Sequence, residues 1–170
     1  MTDKLGEFVL NSSIALGKYT THFNASHMIF TPQYNEGIHG HSYNISIEIY
    51  GDPDGSGMLI DFIFLENIMR ESIKEWDHYV LMPRDNPDIS VLENGPNFDI
   101  RYGDRFYSIP QSDIVLFEGI NITTENLAKL ITKKIHFILE KVVPSIKLSK
   151  LKVEVWETPI CSASYTILCK

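Results

Sequence analysis

The segment HGHSYNISIEIY, residues 39–50, alternates with a period of two. Tyr43, Ile45, Ile47 and Ile49 fall on one face, and Asn44, Ser46 and Glu48 on the other. Side chains of an extended chain point to opposite faces in turn, so the pattern predicts a half-buried strand. The rest of the chain reads around it. Residues 19–30, YTTHFNASHMIF, are rich in aromatic and β-favouring types and read as a neighbouring strand, with the polar turn TPQYNEG between the two. The turn DPDGSG then leads to a short strand, MLID, expected to close a hairpin. Residues 62–76 place Phe62, Leu65, Ile68, Met69, Ile73 and Trp76 at helical spacing with charges opposite. From Met82 to Val115 the prolines at 83, 87, 96 and 110 interrupt any periodicity, so turns are expected there, with one hairpin around Tyr102, Gly103 and Asp104. Thr123 or Thr124 suits the N-cap of a helix running from Asn126 to about Val142, ended by Pro144. Residues 150–157 and 163–169 read as two last strands. Strands, helix, irregular insert, helix and strands together predict one α+β domain over 1–170, an antiparallel sheet with two helices on one face and an insert at about 84–115.

The bulk properties exclude several function classes. With 170 residues, 44% hydrophobic and 22% charged, the chain has the composition of an ordinary globular domain, or of one protomer in an assembly. A net charge of -7 leaves no surplus of Lys and Arg to neutralise phosphates, which argues against a nucleic-acid partner. No apolar run is long enough to cross a bilayer. The stretch MTDKLGEFVLNSSIALGKY has acids and polar residues where a signal peptide needs a basic start and an apolar block, so a cytoplasmic protein is expected. Two cysteines, Cys161 and Cys169, cannot build a disulfide framework and read as buried or edge thiols of a reducing compartment.

Several residues are of types that can carry chemistry. His39 and His41 stand two apart, so both imidazoles share a face, and Gly40 leaves the opposite face open. Such a pair is half of a zinc site, or a pair of core or solvent-facing histidines. His27, on the neighbouring strand, is the candidate third ligand. Three histidines leave a fourth tetrahedral position for water or substrate, which is the catalytic arrangement. Glu36, three residues before His39, is a general-base candidate, a fourth ligand that would close the site, or a plain turn residue. Asp77 and His78 close the first helix; a carboxylate beside an imidazole can orient it, though a histidine there also suits the helix dipole. Glu157 ends a strand and could accept two parallel hydrogen bonds from a guanine-like or pterin ring, or be an edge-strand charge. Thr123, Thr124, Glu125 and Asn126 read by themselves as a helix cap.

Six segments in this order carry a more specific signal: FNASH, HGHSYN, GMLIDF, WDHYVL, TTENLA and WETPICSASY. Together they resemble the 6-pyruvoyl tetrahydropterin synthase and 6-carboxytetrahydropterin synthase family, over most of the chain except residues 1–18 and the insert. The resemblance implies the tunnelling fold, in which three protomers join their sheets into a barrel and two trimers stack into a hexamer. It implies zinc on His27, His39 and His41, a proton-relay pair in Asp77 and His78, and a pterin anchored by Glu157 with help from Thr123, Thr124 and Glu125. The site would lie between subunits. Relatives of the pyruvoyl and carboxy types carry a catalytic cysteine shortly before HGH, and TPQYNEGI has none; Glu36 stands there instead. That arrangement is similar to a subgroup in which glutamate replaces the thiol. It implies a zinc-dependent lyase acting on the side chain of 7,8-dihydroneopterin or its triphosphate, with Glu36 as base and a 6-hydroxymethyl-7,8-dihydropterin or 6-pyruvoyl product. A 6-carboxy-5,6,7,8-tetrahydropterin synthase is the alternative enzyme. A non-catalytic protein stabilised by a closed zinc site is the alternative of another class.

Overall fold

A computed structural model describes residues 12–30 and 36–169. The first part of the N-terminal stretch read against a signal peptide, and residues 31–35 of the turn TPQYNEG, lie outside the described residues. The strands are β1 (Ser12–His27), β2 (His39–Asp52), β3 (Tyr79–Pro83), β4 (Ser90–Asn94), β5 (Asn97–Tyr102), β6 (Arg105–Pro110), β7 (Ile114–Phe117), β8 (Lys147–Trp156) and β9 (Ser162–Leu168). The helices are α1 (Phe62–Ile73) and α2 (Thr124–Val142).

One sheet has the order β7-β3-β1-β2-β8-β9, and β4-β5-β6 form a separate meander. β1, β2, β8 and β9 pair antiparallel, while β3 lies parallel to β1 and β7 parallel to β3. The alternation predicted for 39–50 is realised: Tyr43, Ile45, Ile47 and Ile49 are all at most 1% exposed. They pack with Phe23, Val153 and Val155 beneath Leu65 and Met69 of α1 and Leu127 and Ile131 of α2. Both helices begin on a side-chain cap. Asp61 accepts from the Phe64 amide at 2.8 Å, and Thr123 from the Asn126 amide at 3.3 Å.

Two expectations need correction. MLID is not a strand. Asp54 takes the Ser56 and Met58 amides into a tight turn, and Asp61 is already the cap of α1, so too few residues remain to pair. The insert is also more ordered than its prolines suggested. The hairpin at Tyr102–Arg105 is present, with Gly103 at φ 56°, but it belongs to a three-stranded meander. Pro83 and Pro110 are each the last residue of a strand, and Pro96 lies in the β4–β5 turn, so none removes an interior ladder donor. The meander has its own small core: Ile100 meets Met28, Phe30, Met82 and Ile114. Among the described residues no helix is long and apolar enough to cross a membrane. Cys161 is exposed and Cys169 half-buried at the end of the edge strand, both as free thiols.

Candidate metal centre

The β1–β2 register sets His27 directly opposite His39 and Ala25 opposite His41. His27 shares a face with Phe23 and Ala25, and His39 and His41 share one with Tyr43. The three imidazoles therefore continue the apolar face past the point where the helices cover it. Gly40 makes this close approach possible, because a Cβ there would lie 3.1 Å from both the Ala25 carbonyl and the Ser26 hydroxyl. The ring centroids are 4.5 Å apart for His27 and His39, 4.9 Å for His39 and His41, and 5.3 Å for His27 and His41.

The protonation pattern follows from the backbone partners. His27 Nδ1–H donates to the Ile122 carbonyl at 2.7 Å, and His39 Nδ1–H to the Gly37 carbonyl at 2.9 Å. A carbonyl can only accept, so Nδ1 of each ring carries a proton and, in the neutral ring, Nε2 is left with the free lone pair. Burial is the main influence on His27; it disfavours the imidazolium and holds the pKa below its usual value, keeping the ring neutral. Nε2 of His27 and of His41 are buried without a hydrogen-bond partner. Glu157 Oε1 approaches them at 3.4 and 3.1 Å. The ligand-capable atoms of His27, His39, His41 and Glu157 all lie within 4.8 Å of one another. Orphaned buried nitrogens cost folding free energy, and convergent imidazoles with fixed outer partners are the donor set that zinc prefers. The residues fit the ion.

Of the carboxylates singled out in the sequence, Glu157 joins this group and Glu36 stands outside it. Glu36 Oε2 is 3.6 Å from His39 Nε2, at a partly exposed position on the rim. Its backbone carbonyl accepts from Arg105 Nη1 at 2.9 Å. Thr124 and Glu125, at the start of α2, line a small pocket of about 150 Å³ together with Glu157, Cys161 and Ser162. Thr123 is bound up in capping the helix.

Asp77 and His78 sit elsewhere. Asp77 Oδ1 accepts the Asn24 amide at 2.8 Å and lies 3.1 Å from His78 Nδ1, while the His78 amide donates to the Asn24 carbonyl at 2.6 Å. His78 has φ 69°, a left-handed conformation uncommon outside glycine, held by this double docking to β1. His78 opens on a groove of about 560 Å³ lined by Asn24, Ser26, Gly40 and Ser42, which alternate away from the imidazole face, and also by Ala25 and His41, which belong to it. Two neighbours of the centre were not singled out from sequence. Tyr43, whose ring lies 5.4 Å from that of His41, has a buried hydroxyl that burial and then Glu157 keep firmly protonated. Its place in the alternation next to His41 was the available signal. Arg105, in the insert, had none.

Fold and site together define an α+β protein with a three-histidine group able to hold a metal ion, and comparison with known proteins names the family. The family model described as 6-pyruvoyl tetrahydropterin synthase matches residues 17–167, and the chain belongs to that family of pterin enzymes. Its fold is the tunnelling fold. A Pyrococcus horikoshii protein that carries the provisional name 6-carboxy-5,6,7,8-tetrahydropterin synthase is 30% identical over 150 residues, 87% of each chain. One of the same provisional name from Pyrococcus abyssi is 29% identical over 159 residues, 89% of this chain and 90% of that one. The crystal structure of 6-pyruvoyl tetrahydropterin synthase from Plasmodium vivax superposes with a TM-score of 0.87 at 26% identity, covering 94% of this chain and 99% of that one. A variant of it with the same score, with alanine in place of a glutamate, is described as a catalytic-residue mutant.

Proposed function

We propose that this chain is a zinc-dependent lyase acting on the side chain of 7,8-dihydroneopterin or its triphosphate, with Glu36 as the general base. The observation that carries the reading is a carboxylate 3.6 Å from His39 on the rim of a three-histidine centre. His27, His39 and His41 would hold the ion. Bound zinc supplies Lewis-acid polarisation of the substrate's side-chain hydroxyls. Glu36 takes a proton from the activated side chain; its partial exposure leaves it free to meet a substrate. Glu157 accepts two hydrogen bonds from the ring N–H and 2-amino donors, turning from the imidazoles toward the pocket it shares with Thr124 and Glu125. Asp77 orients His78 for the remaining proton transfer. Because that pair stands outside the three-histidine group of its own chain, it serves the centre of an adjacent copy. The outer strands β7 and β9 leave sheet edges for copies to pair, which supports a homo-oligomer, a trimer or a hexamer of two trimers.

Two products are in competition. The names of the curated relatives support 6-carboxy-5,6,7,8-tetrahydropterin better than the 6-hydroxymethyl or 6-pyruvoyl product put first from sequence. The absence of a cysteine before HGH, and a glutamate that is a catalytic residue by description in the Plasmodium vivax relative, support 6-hydroxymethyl-7,8-dihydropterin. Glu36 is this chain's candidate for that role. A closed, non-catalytic zinc site has one supporting observation, the place of Glu157 among the imidazoles. Chromatography of the products formed from dihydroneopterin and from its triphosphate decides among the three. A 6-hydroxymethyl product supports the glutamate reading, a 6-carboxy product the relatives' names, and no turnover the structural site.

A further inference from the structure

The meander β4-β5-β6 takes no part in that chemistry, yet its hairpin tip touches the chain at the entry to the centre. Beyond β1 the chain passes through Met28 to Phe30, which is 2% exposed. The Phe30 ring meets Tyr102 edge-on, with centroids 4.9 Å apart at 81°. Asn121 grips the Phe30 backbone, accepting from its amide at 3.3 Å and donating to its carbonyl at 2.8 Å. At Glu36 the chain is held again, by Arg105 Nη1 donating to the Glu36 carbonyl at 2.9 Å. Tyr102 and Arg105 are the two residues that flank the tight turn of the hairpin. Arg101 stacks on Phe106 at 4.7 Å and braces the same tip.

The consequence falls on the backbone around Glu36. The Glu36 carbonyl is fixed by Arg105, and the next carbonyl, that of Gly37, by His39 Nδ1. One hydrogen bond to each of these two consecutive carbonyls orients the peptide units that follow Glu36, and so the direction in which its side chain leaves. Among the described residues, the carboxylate itself contacts His39, at 3.6 Å. Without Arg105, the aim of the carboxylate would rest, among these residues, on the metal-site histidine. We infer that Arg105, presented by the inserted hairpin, is the positioning residue for Glu36. The inference rests on the reading of Glu36 as the base.

The test is steady-state kinetics on the purified protein for Arg105→Ala, Arg105→Lys, Glu36→Gln and the double variant Glu36→Gln/Arg105→Ala. Misplacing a reacting group by about 1 Å lowers rate by up to roughly 10²-fold, so Arg105→Ala should lower kcat by roughly 10- to 100-fold. KM and zinc content should stay at wild-type values, because Arg105 touches neither the imidazoles nor the pocket of Glu157. Arg105→Lys, which keeps one N–H donor, should restore most of kcat and also serves if the alanine variant folds poorly. In the Glu36→Gln background, removing Arg105 should change nothing further. Unchanged kcat in Arg105→Ala, or an equal fold-loss with and without Glu36, would overturn the inference while leaving Glu36 as base. Wild-type turnover in Glu36→Gln would remove the reading beneath it.

Discussion

Of the three imidazoles, His27 and His39 have their orientation set by what each ring's other nitrogen touches. The Ile122 and Gly37 carbonyls fix His27 and His39, and the buried lone pairs converge. His41→Ala should therefore abolish zinc retention, read as metal per chain by elemental analysis; a metal-free protein that remains fully active would contradict the centre. Glu157 belongs to two surroundings, the imidazoles at 3.1 and 3.4 Å and the pocket beside Thr124. An amide cannot accept two hydrogen bonds as a carboxylate does, and a charge-assisted bond contributes about 1.5–3 kcal/mol. Glu157→Gln should weaken pterin binding by at least roughly 10-fold in a fluorescence titration and retain zinc. Loss of zinc together with unchanged pterin affinity would make Glu157 a ligand instead. At this scale the sequence was informative for the histidines, since a period of two forces His39 and His41 onto one face. It was mute on Arg105, whose role depends on where a long insert folds back.

Strand β2 carries the fold because its apolar side is continuous from Tyr43 to Ile49 and then extends into the metal ligands. Ile47→Ala would open a cavity between the sheet and the helices, at a cost of about 2–5 kcal/mol. The expected result is a lower urea midpoint for the zinc-loaded protein, and an unchanged midpoint would place Ile47 outside the core. The long elements were legible from periodicity, and α2 was legible from its cap, Thr123. The short strand expected at MLID failed because Asp61 caps a helix, a use of aspartate that strand reasoning does not register. The meander was missed because prolines at strand ends look, in one dimension, the same as prolines that break strands. β3 and β7 were missed because their parallel partners lie far away in sequence, so no local hairpin signal marks them.

Within the described molecule, the Asp77–His78 pair stands outside the three-histidine group, and the sheet ends in β7 and β9. In the proposed reading the pair serves the centre of an adjacent copy. Light scattering should find a trimer or a hexamer, and activity should fall on dilution into monomers; a fully active monomer would contradict the shared site. In the proposed reading Glu36 does the chemistry beside a centre held by His27, His39 and His41. The most direct measurement is chromatography of the products made by the zinc-loaded wild type and by Glu36→Gln from dihydroneopterin triphosphate and from dihydroneopterin. The wild type should give a side-chain-cleaved or rearranged pterin. Turnover should be lower by roughly 10²-fold or more in Glu36→Gln, with zinc content and pterin affinity intact. Full activity in Glu36→Gln, or no turnover of either pterin by the wild type, would contradict that reading.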